Sequence, residues 1–343
     1  MVALSSDLMR SFRVAKTFKE NLDRINHMDI SSNGHYVVTS SQDESIQLYE
    51  ADKGVSFKTL HSKKYGVDLI SFTRNHNTVI HGSTKVDDTL RQLNLHENKY
   101  LRYFLGHGRK VTSLKMHPKE DMFLSASQDH TVRLWDLRSS NSQGLLHVPG
   151  RPVVSYDPEG LVFAVGFESS EIKIYDVRTF DKGPFLSFPV SRMTEGEWTD
   201  LKFNPDTTQI LVTTSGKNSF VVDAFVGGVV HTLTGYANTQ IQGLEGCYSP
   251  DGKYVLLGSS DGKVHIWSST TGEKVATLSS EDCSPITCLK FNPKYLCFVS
   301  AHIRTSFWIP TLQDRSGDEE NTASTNHVDA KSGTPGSGKT PVS

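Results

Sequence analysis

Cysteine is scarce in this chain, which has four cysteines, four tryptophans and six methionines among its 343 residues. The cysteines Cys247, Cys283, Cys288 and Cys297 form no C-x-x-C pair and have no histidines at zinc-finger spacing. These absences exclude a small disulfide scaffold and the common structural zinc sites. We therefore expect reduced thiols packed as small apolar side chains, with no metal and no cofactor.

Long apolar runs and an excess of one charge are also missing. The longest apolar pieces are short, such as residues 161–166, whereas a membrane helix needs roughly 18 consecutive apolar residues. The first 19 residues have no apolar core, so we expect no secretory signal and a location in the nucleus or cytoplasm. The formal net charge is −2, whereas a nucleic-acid backbone binder is usually strongly basic. We expect neither a membrane contact nor direct nucleic-acid binding.

A repeat runs through most of the chain. The segment Ser125-Ala-Ser-Gln-Asp-His-Thr-Val-Arg-Leu-Trp-Asp136 has six weaker copies, whose residues equivalent to Trp135 lie 40 to 47 residues apart. This period is that of WD40 repeats, with four strands per blade of a β-propeller. The residues at the Trp position are Tyr49, Leu93, Trp135, Tyr175, Val222, Trp267 and Trp308.

The ends of the repeat array predict how the ring closes. After Trp308 too few residues remain for the outermost strand of the seventh unit, whereas residues 12–18 alternate like a strand ahead of the first unit. We infer that this N-terminal strand completes the last blade and removes an exposed sheet edge. The predicted fold is an all-β, seven-bladed WD40 propeller over residues 1–313.

Blade 3 has a set of residues that resembles a Ser-His-Asp triad. In WD40 proteins the His of a Gly-His pair bonds a turn Asp and a strand Ser beside the Trp, which predicts one network of His107, Ser125, Asp129 and Trp135. Such buried networks fix the shape of a blade, because polar groups removed from water must be satisfied. We interpret the set as structural and predict no catalytic residue. In blade 2, Lys63 stands in place of the His.

The last 30 residues differ in composition from the repeats. Residues 314–343 are rich in Ser, Thr, Gly, Asp, Glu and Asn, so they cannot bury enough apolar surface to fold, and we predict a disordered tail. The run 333–340 matches the P-loop pattern literally. A functional P-loop follows a strand and opens a helix, and neither is predicted here, so we interpret the match as accidental.

Several segments between the repeat signatures closely resemble one WD-repeat family, the Swd-two type subunit of COMPASS-type histone lysine methyltransferase complexes. The most specific is Ser-Lys-Lys-Tyr-Gly-Val-Asp-Leu-Ile at 62–70. The resemblance covers about residues 4–313 and implies a nuclear, chromatin-associated scaffold that supports methylation by a separate catalytic subunit. The other segments are 11–16, 96–104, 135–139, 157–160, 180–185, 197–198 and 235–238.

The register of the repeat places equivalent loops on one face of the disc. The loops that lead into the first strands of blades 2 to 4 are basic, whereas those of blades 5 and 7 contain Glu195, Glu197 and the pair 281–282, all acidic. We hypothesise that the basic arc binds an acidic or phosphorylated peptide by charge-assisted hydrogen bonds. Ordinary solvated loop charges remain the alternative. The residues of the arc are Lys63, Lys64, Tyr65, Arg109, Lys110 and Arg151.

Three functions fit this architecture. The first is a non-catalytic docking subunit of a COMPASS-type complex that regulates transcription. The resemblance also implies, as an alternative, a subunit of a phosphatase or transcript 3′-end-processing assembly linked to RNA polymerase II. A ubiquitin-ligase substrate receptor shares the fold but would need a ligase-recruiting segment that we do not find. An enzyme is not expected, because no clustered carboxylates or activated nucleophile recur at equivalent positions.

Overall fold

Each repeat unit folds into a four-stranded antiparallel sheet, and the described residues form seven such sheets. The structure is a computed structural model that describes residues 4–167, 169–190, 196–239, 243–280 and 284–311. The first strands of all seven sheets line a central channel, with the later strands progressively farther out. The predicted all-β, seven-bladed propeller is therefore confirmed.

The described chain begins with helix α1 (Ser6–Ser11) and strand β1 (Phe12–Phe18). Blade 1 contains β2 (Ile25–Ile30), β3 (Tyr36–Ser41), β4 (Ser45–Glu50) and β5 (Val55–His61). Blade 2 contains β6 (Ile70–Phe72), β7 (Thr78–Gly82), β8 (Leu90–Asn94) and β9 (Lys99–Phe104). Blade 3 contains β10 (Val111–Met116), β11 (Met122–Ser127), β12 (Thr131–Asp136) and β13 (Ser142–His147).

The remaining blades follow in chain order. Blade 4 contains β14 (Val153–Tyr156), β15 (Val162–Phe167), β16 (Glu171–Asp176) and β17 (Leu186–Pro189), with a 3₁₀ turn (Phe180–Lys182) before β17. Blade 5 contains β18 (Trp198–Phe203), β19 (Gln209–Thr214), β20 (Ser219–Asp223) and β21 (Val229–Leu233). Blade 6 contains β22 (Gly246–Tyr248), β23 (Tyr254–Gly258), β24 (Lys263–Ser268) and β25 (Lys274–Ser279). Blade 7 contains β26 (Cys288–Phe291), β27 (Phe298–Ala301) and β28 (Thr305–Pro310), completed by β1.

The burial of the strands follows their distance from the channel. The second strand of blade 3, β11, is buried along almost its whole length, because both of its faces pack against neighbouring blades. The outer strand β13 alternates between half-buried and exposed residues, as expected for a sheet with one face in water. At the Trp position the ring stacks on an aromatic of the second strand, as in Phe123 with Trp135 and Phe298 with Trp308.

The ring closes through the N-terminal strand, as predicted. Strand β1 pairs antiparallel with β28, from Phe12 opposite Pro310 to Phe18 opposite Thr305. Phe12 is fully buried and packs against the Phe298 ring at 5.2 Å between centroids. The pairing therefore joins the two ends of the repeat array through both backbone hydrogen bonds and apolar packing.

Helix α1 extends this closure to blade 6, which the sequence did not predict. Its residue Met9 is fully buried in the apolar cluster shared by blades 6 and 7. The Arg10 Nε donates to the Val275 carbonyl of β25 at 3.2 Å. Ser5 caps the helix by accepting a hydrogen bond from the Leu8 N–H. The N-terminal segment thus contacts two blades rather than one.

The two faces of the disc are named here by their loops. The upper face contains the loops that lead into the first strands, such as residues 62–69 and 109–110. The lower face contains the turns after the first strands, where a repeated proline lines the end of the channel in blades 3 to 7 (Pro118, Pro158, Pro205, Pro250 and Pro293). The domain boundary at 313 and the disordered tail with its P-loop-like run, residues 314–343, lie outside the described residues.

Candidate docking surface

The structure brings the four predicted residues of the blade 3 network together. The His107 Nδ1 lies 3.0 Å from Asp129 Oδ2, and its Nε2 lies 2.7 Å from Ser125 Oγ. The Trp135 Nε1 donates to the same Ser125 oxygen at 2.8 Å. Since the ionised Asp129 accepts the Nδ1–H, the bare Nε2 accepts the Ser125 hydroxyl proton. Every polar atom in this chain of hydrogen bonds has a partner.

The same geometry argues against a catalytic triad. Ser125 is fully buried and the His107 side chain is 1% exposed, so no substrate reaches the hydroxyl. Burial lowers the pKa of His107 despite the Asp129 carboxylate. Burial alone would raise the pKa of Asp129, but hydrogen bonds from Thr131, the Gly108 N–H and His107 lower it to about 2. The network, with the ionised Asp129 as its acceptor, therefore stabilises the upper end of blade 3.

Blade 2 replaces this network with a buried arginine. Arg91 is 2% exposed, and its Nη2 donates to Asp87 at 2.9 Å. Its guanidinium carbon lies 3.8 Å from the centre of the Tyr65 ring, a cation–π contact. Lys63, which stands where blade 3 has its His, is exposed. Arg91 thus stabilises the position of the Tyr65 ring, whereas the neighbouring Lys63 and Lys64 are exposed to solvent.

Lys64 and Tyr65 form the start of the basic arc on the upper face. The Lys64 Nζ lies 4.9 Å from the centre of the Tyr65 ring, and a hydrogen bond with Tyr65 raises the pKa of Lys64. Tyr65 also packs edge-on against Tyr100 of β9, with 5.4 Å between ring centroids. A cation beside a fixed aromatic ring offers both a charge and an apolar surface to a peptide.

The other cations of the arc differ in whether a carboxylate already neutralises them. Lys110 forms an ion pair with Asp68 at 2.7 Å, and Arg151 with Glu197 at 3.3 Å. Lys63, Lys64 and Arg109 have no ion pair among the described residues. Glu197 belongs to the predicted acidic loops, so its ion pair with Arg151 links the basic arc to the acidic part of the same face. Of the acidic residues named there, Glu195 and the pair 281–282 lie outside the described residues.

Two exposed apolar residues in upper-face loops, one of blade 1 and one of blade 2, were missed in the sequence analysis. Leu22 is 90% exposed, and Val86 is 77% exposed with a φ of +71°. A β-branched residue rarely adopts this left-handed conformation, and such strain is concentrated at functional sites. The Val86 loop contacts the arc directly, because the N–H of Lys85 donates to the Tyr65 carbonyl at 2.9 Å. Side-chain type alone could not reveal this backbone conformation.

The channel opens on the upper face into a cavity of about 520 Å³. Its wall includes Arg151, Lys115, Glu197 and other charged groups. Lys115 of blade 3 forms an ion pair with Asp200 of blade 5 at 2.7 Å, and His27 lies 3.2 Å from Glu245. Burial would raise the pKa of Glu245, but His27 and Lys202 hold it far below its ordinary value. Each of these pairs connects two blades that are not neighbours. The charged groups of the channel therefore neutralise one another.

The described residues contain no metal-binding cluster, no exposed cysteine and no membrane-spanning helix. No group of three or more His, Cys, Asp or Glu residues there could hold a metal ion. Cys247, Cys288 and Cys297 are buried free thiols, and burial raises the pKa of Cys247 to about 11. No helix in the described segments is long and apolar enough to cross a membrane.

Two family models match the chain, and both agree with the fold. Residues 17–189 match the N-terminal domain of Nucleolar protein 10-like proteins, and residues 235–294 match the WD40 domain of Anaphase-promoting complex subunit 4. Together with seven four-stranded blades and an internally satisfied channel, these matches define a WD40 β-propeller with an exposed, partly basic upper face.

Relatives that span nearly the whole chain define the family more narrowly. The chain is 51% identical to WD repeat-containing protein 82 of Drosophila melanogaster, over 91% of this chain and 99% of the relative. It is 34% identical to COMPASS component SWD2 of Saccharomyces cerevisiae, over 90% and 98%. It is 32% identical to Set1 complex component swd2 of Schizosaccharomyces pombe, over 90% and 99%. The chain belongs to the family of WD repeat-containing protein 82 and SWD2, as its segments predicted.

Proposed function

We propose that this protein is a non-catalytic docking subunit of a nuclear, COMPASS-type histone lysine methyltransferase complex. The observation that carries the proposal is the similarity over about nine-tenths of the chain to two relatives named as COMPASS and Set1 complex components. A similarity that spans every blade includes the surfaces of the propeller as well as its core. The catalytic methyltransferase subunit is then a separate protein that this chain binds and positions, and transcription is regulated through it.

The geometry of the upper face supports a docking role. Its triad-like residues are buried in a structural network, and its channel charges are paired with one another. What remains accessible is a rim of cations beside Tyr65, with Val86 in the adjoining loop and Leu22 in the upper-face loop of blade 1. Surfaces of this composition bind peptides through charge-assisted hydrogen bonds flanked by apolar contacts.

The arc binds an acidic or phosphorylated peptide chiefly through Lys63, Lys64 and Arg109. These three cations have no carboxylate partner among the described residues, so their charge is available to a ligand. Lys110 and Arg151 must first weaken the pairs with Asp68 and Glu197. Lys110 and Arg151 therefore affect where the peptide lies and which peptide is selected more than they affect the affinity.

Affinity purification with mass spectrometry tests both parts of this proposal. The full chain should recover a catalytic methyltransferase subunit from nuclei. The variant K63E/K64E/R109E should lose at least one partner by about tenfold or more, because reversed rim charges repel an acidic segment and slow its association. The loss should be larger at low salt, where exposed charges are screened less.

A matched control separates a specific site from a general effect of charge. The variant R74E/K253E/K294E changes the net charge equally, but its three exposed residues belong to lower-face turns of blades 2, 6 and 7. It should keep all partners, and both variants should melt within about 2 °C of the wild type. Equal recovery of every partner by the two variants would remove the arc from the proposal. If the wild type recovered only phosphatase or 3′-end-processing subunits, the proposed COMPASS-type complex would be the wrong assembly for this protein.

A further inference from the structure

The turn between the third and fourth strands of blade 5 has an exposed apolar tip. Phe225 is 63% exposed and Val226 is 81% exposed. On the strand that follows, Val229 and Val230 are 39% and 43% exposed. Phe185, in the corresponding connection of blade 4, is 63% exposed. These side chains lie at the rim of the lower face, the opposite face from the basic arc.

The repeat supplies its own comparison for this tip. At the equivalent two positions of the other described turns of this kind, both residues are polar or charged. The pairs are Asp52-Lys53, His96-Glu97, Arg138-Ser139, Arg178-Thr179 and Thr270-Thr271. Only blade 5, among the described turns, exposes two large apolar side chains there.

The turn itself does not require apolar residues. Asp223 Oδ1 accepts hydrogen bonds from the N–H groups of Phe225 and Val226, each at 2.8 Å. In blade 4, Asp176 caps its turn in the same way, accepting from Arg178 at 2.7 Å and Thr179 at 3.1 Å. Because the same cap forms beneath charged tips, the apolar tip of blade 5 is not explained by local folding.

The blade 5 turn lies directly against blade 4, so its exposed residues and Phe185 lie on adjacent blades at the rim of the lower face. Gly227 has a φ of +81°, and any side chain there would overlap the Phe188 ring of β17. Phe185 is three residues before Phe188 in the same strand region. Neither residues 183–190 nor residues 224–230 contain a charged side chain. We call this surface, formed by Phe185, Phe225, Val226, Val229 and Val230, the apolar rim.

We propose that the apolar rim is a second docking site, which binds a short apolar segment of another protein. The five residues of the apolar rim have no charged side chain, so they cannot form ion pairs with the acidic peptide proposed for the basic arc. The exposed parts of the five side chains cover less than the about 800 Å² per partner of a standard interface. The area fits a peptide segment and is too small to hold two copies of the chain by itself.

The occupant packs on side chains and does not extend the sheet. The pairing of β20 with β21 has a register shift at Val230, whose neighbours Val229 and His231 take the partners on either side. A bulge of this kind twists an edge strand away from further pairing. The site on the lower face and the arc on the upper face can therefore be occupied at the same time, by two segments of one partner or by two subunits.

Site-specific photo-cross-linking of the full chain in cells tests this proposal. A benzophenone amino acid replaces Phe225 in one variant and Arg138, at the equivalent position of blade 3, in another. Position 225 should cross-link reproducibly to one uncharged, apolar segment of a second protein, and position 138 should not. A synthetic peptide of that segment should then bind the wild type at least tenfold more tightly than F225R/V226S.

The variant F225R/V226S gives blade 5 the tip residues of blade 3, so its fold and melting temperature should be preserved. Cross-links from position 225 only to another copy of this chain, or none beyond those of position 138, would overturn the proposal. So would equal binding of the peptide by wild type and F225R/V226S. None of these readouts requires a methyltransferase partner, so the inference can fail or succeed independently of the proposed assembly.

Discussion

At the scale of single residues, the His107, Ser125, Asp129 and Trp135 network of blade 3 is structural because its polar groups are buried and hydrogen-bonded to one another. Asp129 accepts hydrogen bonds from the Gly108 N–H, from the N–H and hydroxyl of Thr131, and from His107. The sequence indicated this network through its Gly-His and Trp-Asp pairs. It could not indicate that Arg91 becomes the partner of the turn residue Asp87 in blade 2, because an arginine in a strand is usually exposed.

Substitution of Asp129 should therefore destabilise the protein without a direct effect on any surface. In D129N one acceptor becomes an amide N–H group, so buried donors lose their partner and the free energy of unfolding should fall by about 1–3 kcal/mol. Urea unfolding at pH 7 measures this. The exposed-site variant D181N should lie within about 0.5 kcal/mol of the wild type. An unchanged midpoint for D129N would mean that the network contributes nothing.

The same variant has a pH signature whose sign follows from the pKa. The pKa of Asp129 is lowered from 3.8 to about 2, so its stabilisation is complete above about pH 4 and is lost as the pH falls towards 2. The difference in stability between wild type and D129N should narrow over that window. A constant difference down to pH 2 would contradict the assigned ionisation.

At the scale of elements, the repeat spacing predicted the blades and the closing strand, but not helix α1. A helix of six residues has little periodicity to detect, and its burial comes from contacts with β25 that are more than 250 residues away in sequence. The apolar rim was detectable in principle. Aligning the turns column by column shows Phe225 and Val226 where the other blades have polar pairs, but the sequence alone does not show that these columns face solvent.

Removal of the N-terminal segment should open the ring. Deleting residues 1–18 removes β1 and α1, exposes the edge of β28, and loses the buried side chains of Met9 and Phe12, worth about 2–5 kcal/mol each. We expect a lower melting temperature and self-association, measured by calorimetry and by size exclusion with light scattering. A chain that lacks residues 314–343 instead should melt within about 2 °C of the wild type. A monomeric, equally stable deletion of residues 1–18 would show that β1 is dispensable.

At the scale of the whole molecule, the propeller is a ring of seven blades with two accessible faces and a channel whose charged groups form ion pairs with one another. Lys115 and Asp200, whose pair spans the channel, are 85 residues apart in sequence, so no local pattern could predict their contact. The segments between the repeat signatures predicted the family, whereas the register of the repeat predicted which loops share a face. The sequence could not predict that Lys110 pairs with Asp68 and Arg151 with Glu197, because these ion pairs depend on the distances between blades.

In the function that we propose, this propeller positions a catalytic partner and performs no methyl transfer itself. The most direct test incubates histones and the methyl donor with the purified full chain alone, with a methyltransferase complex purified without it, and with both together. We expect no methylation by the chain alone and a severalfold higher rate when it is added to the complex. Methylation by the chain alone, or equal rates with and without it, would show that the protein is not a non-catalytic docking subunit.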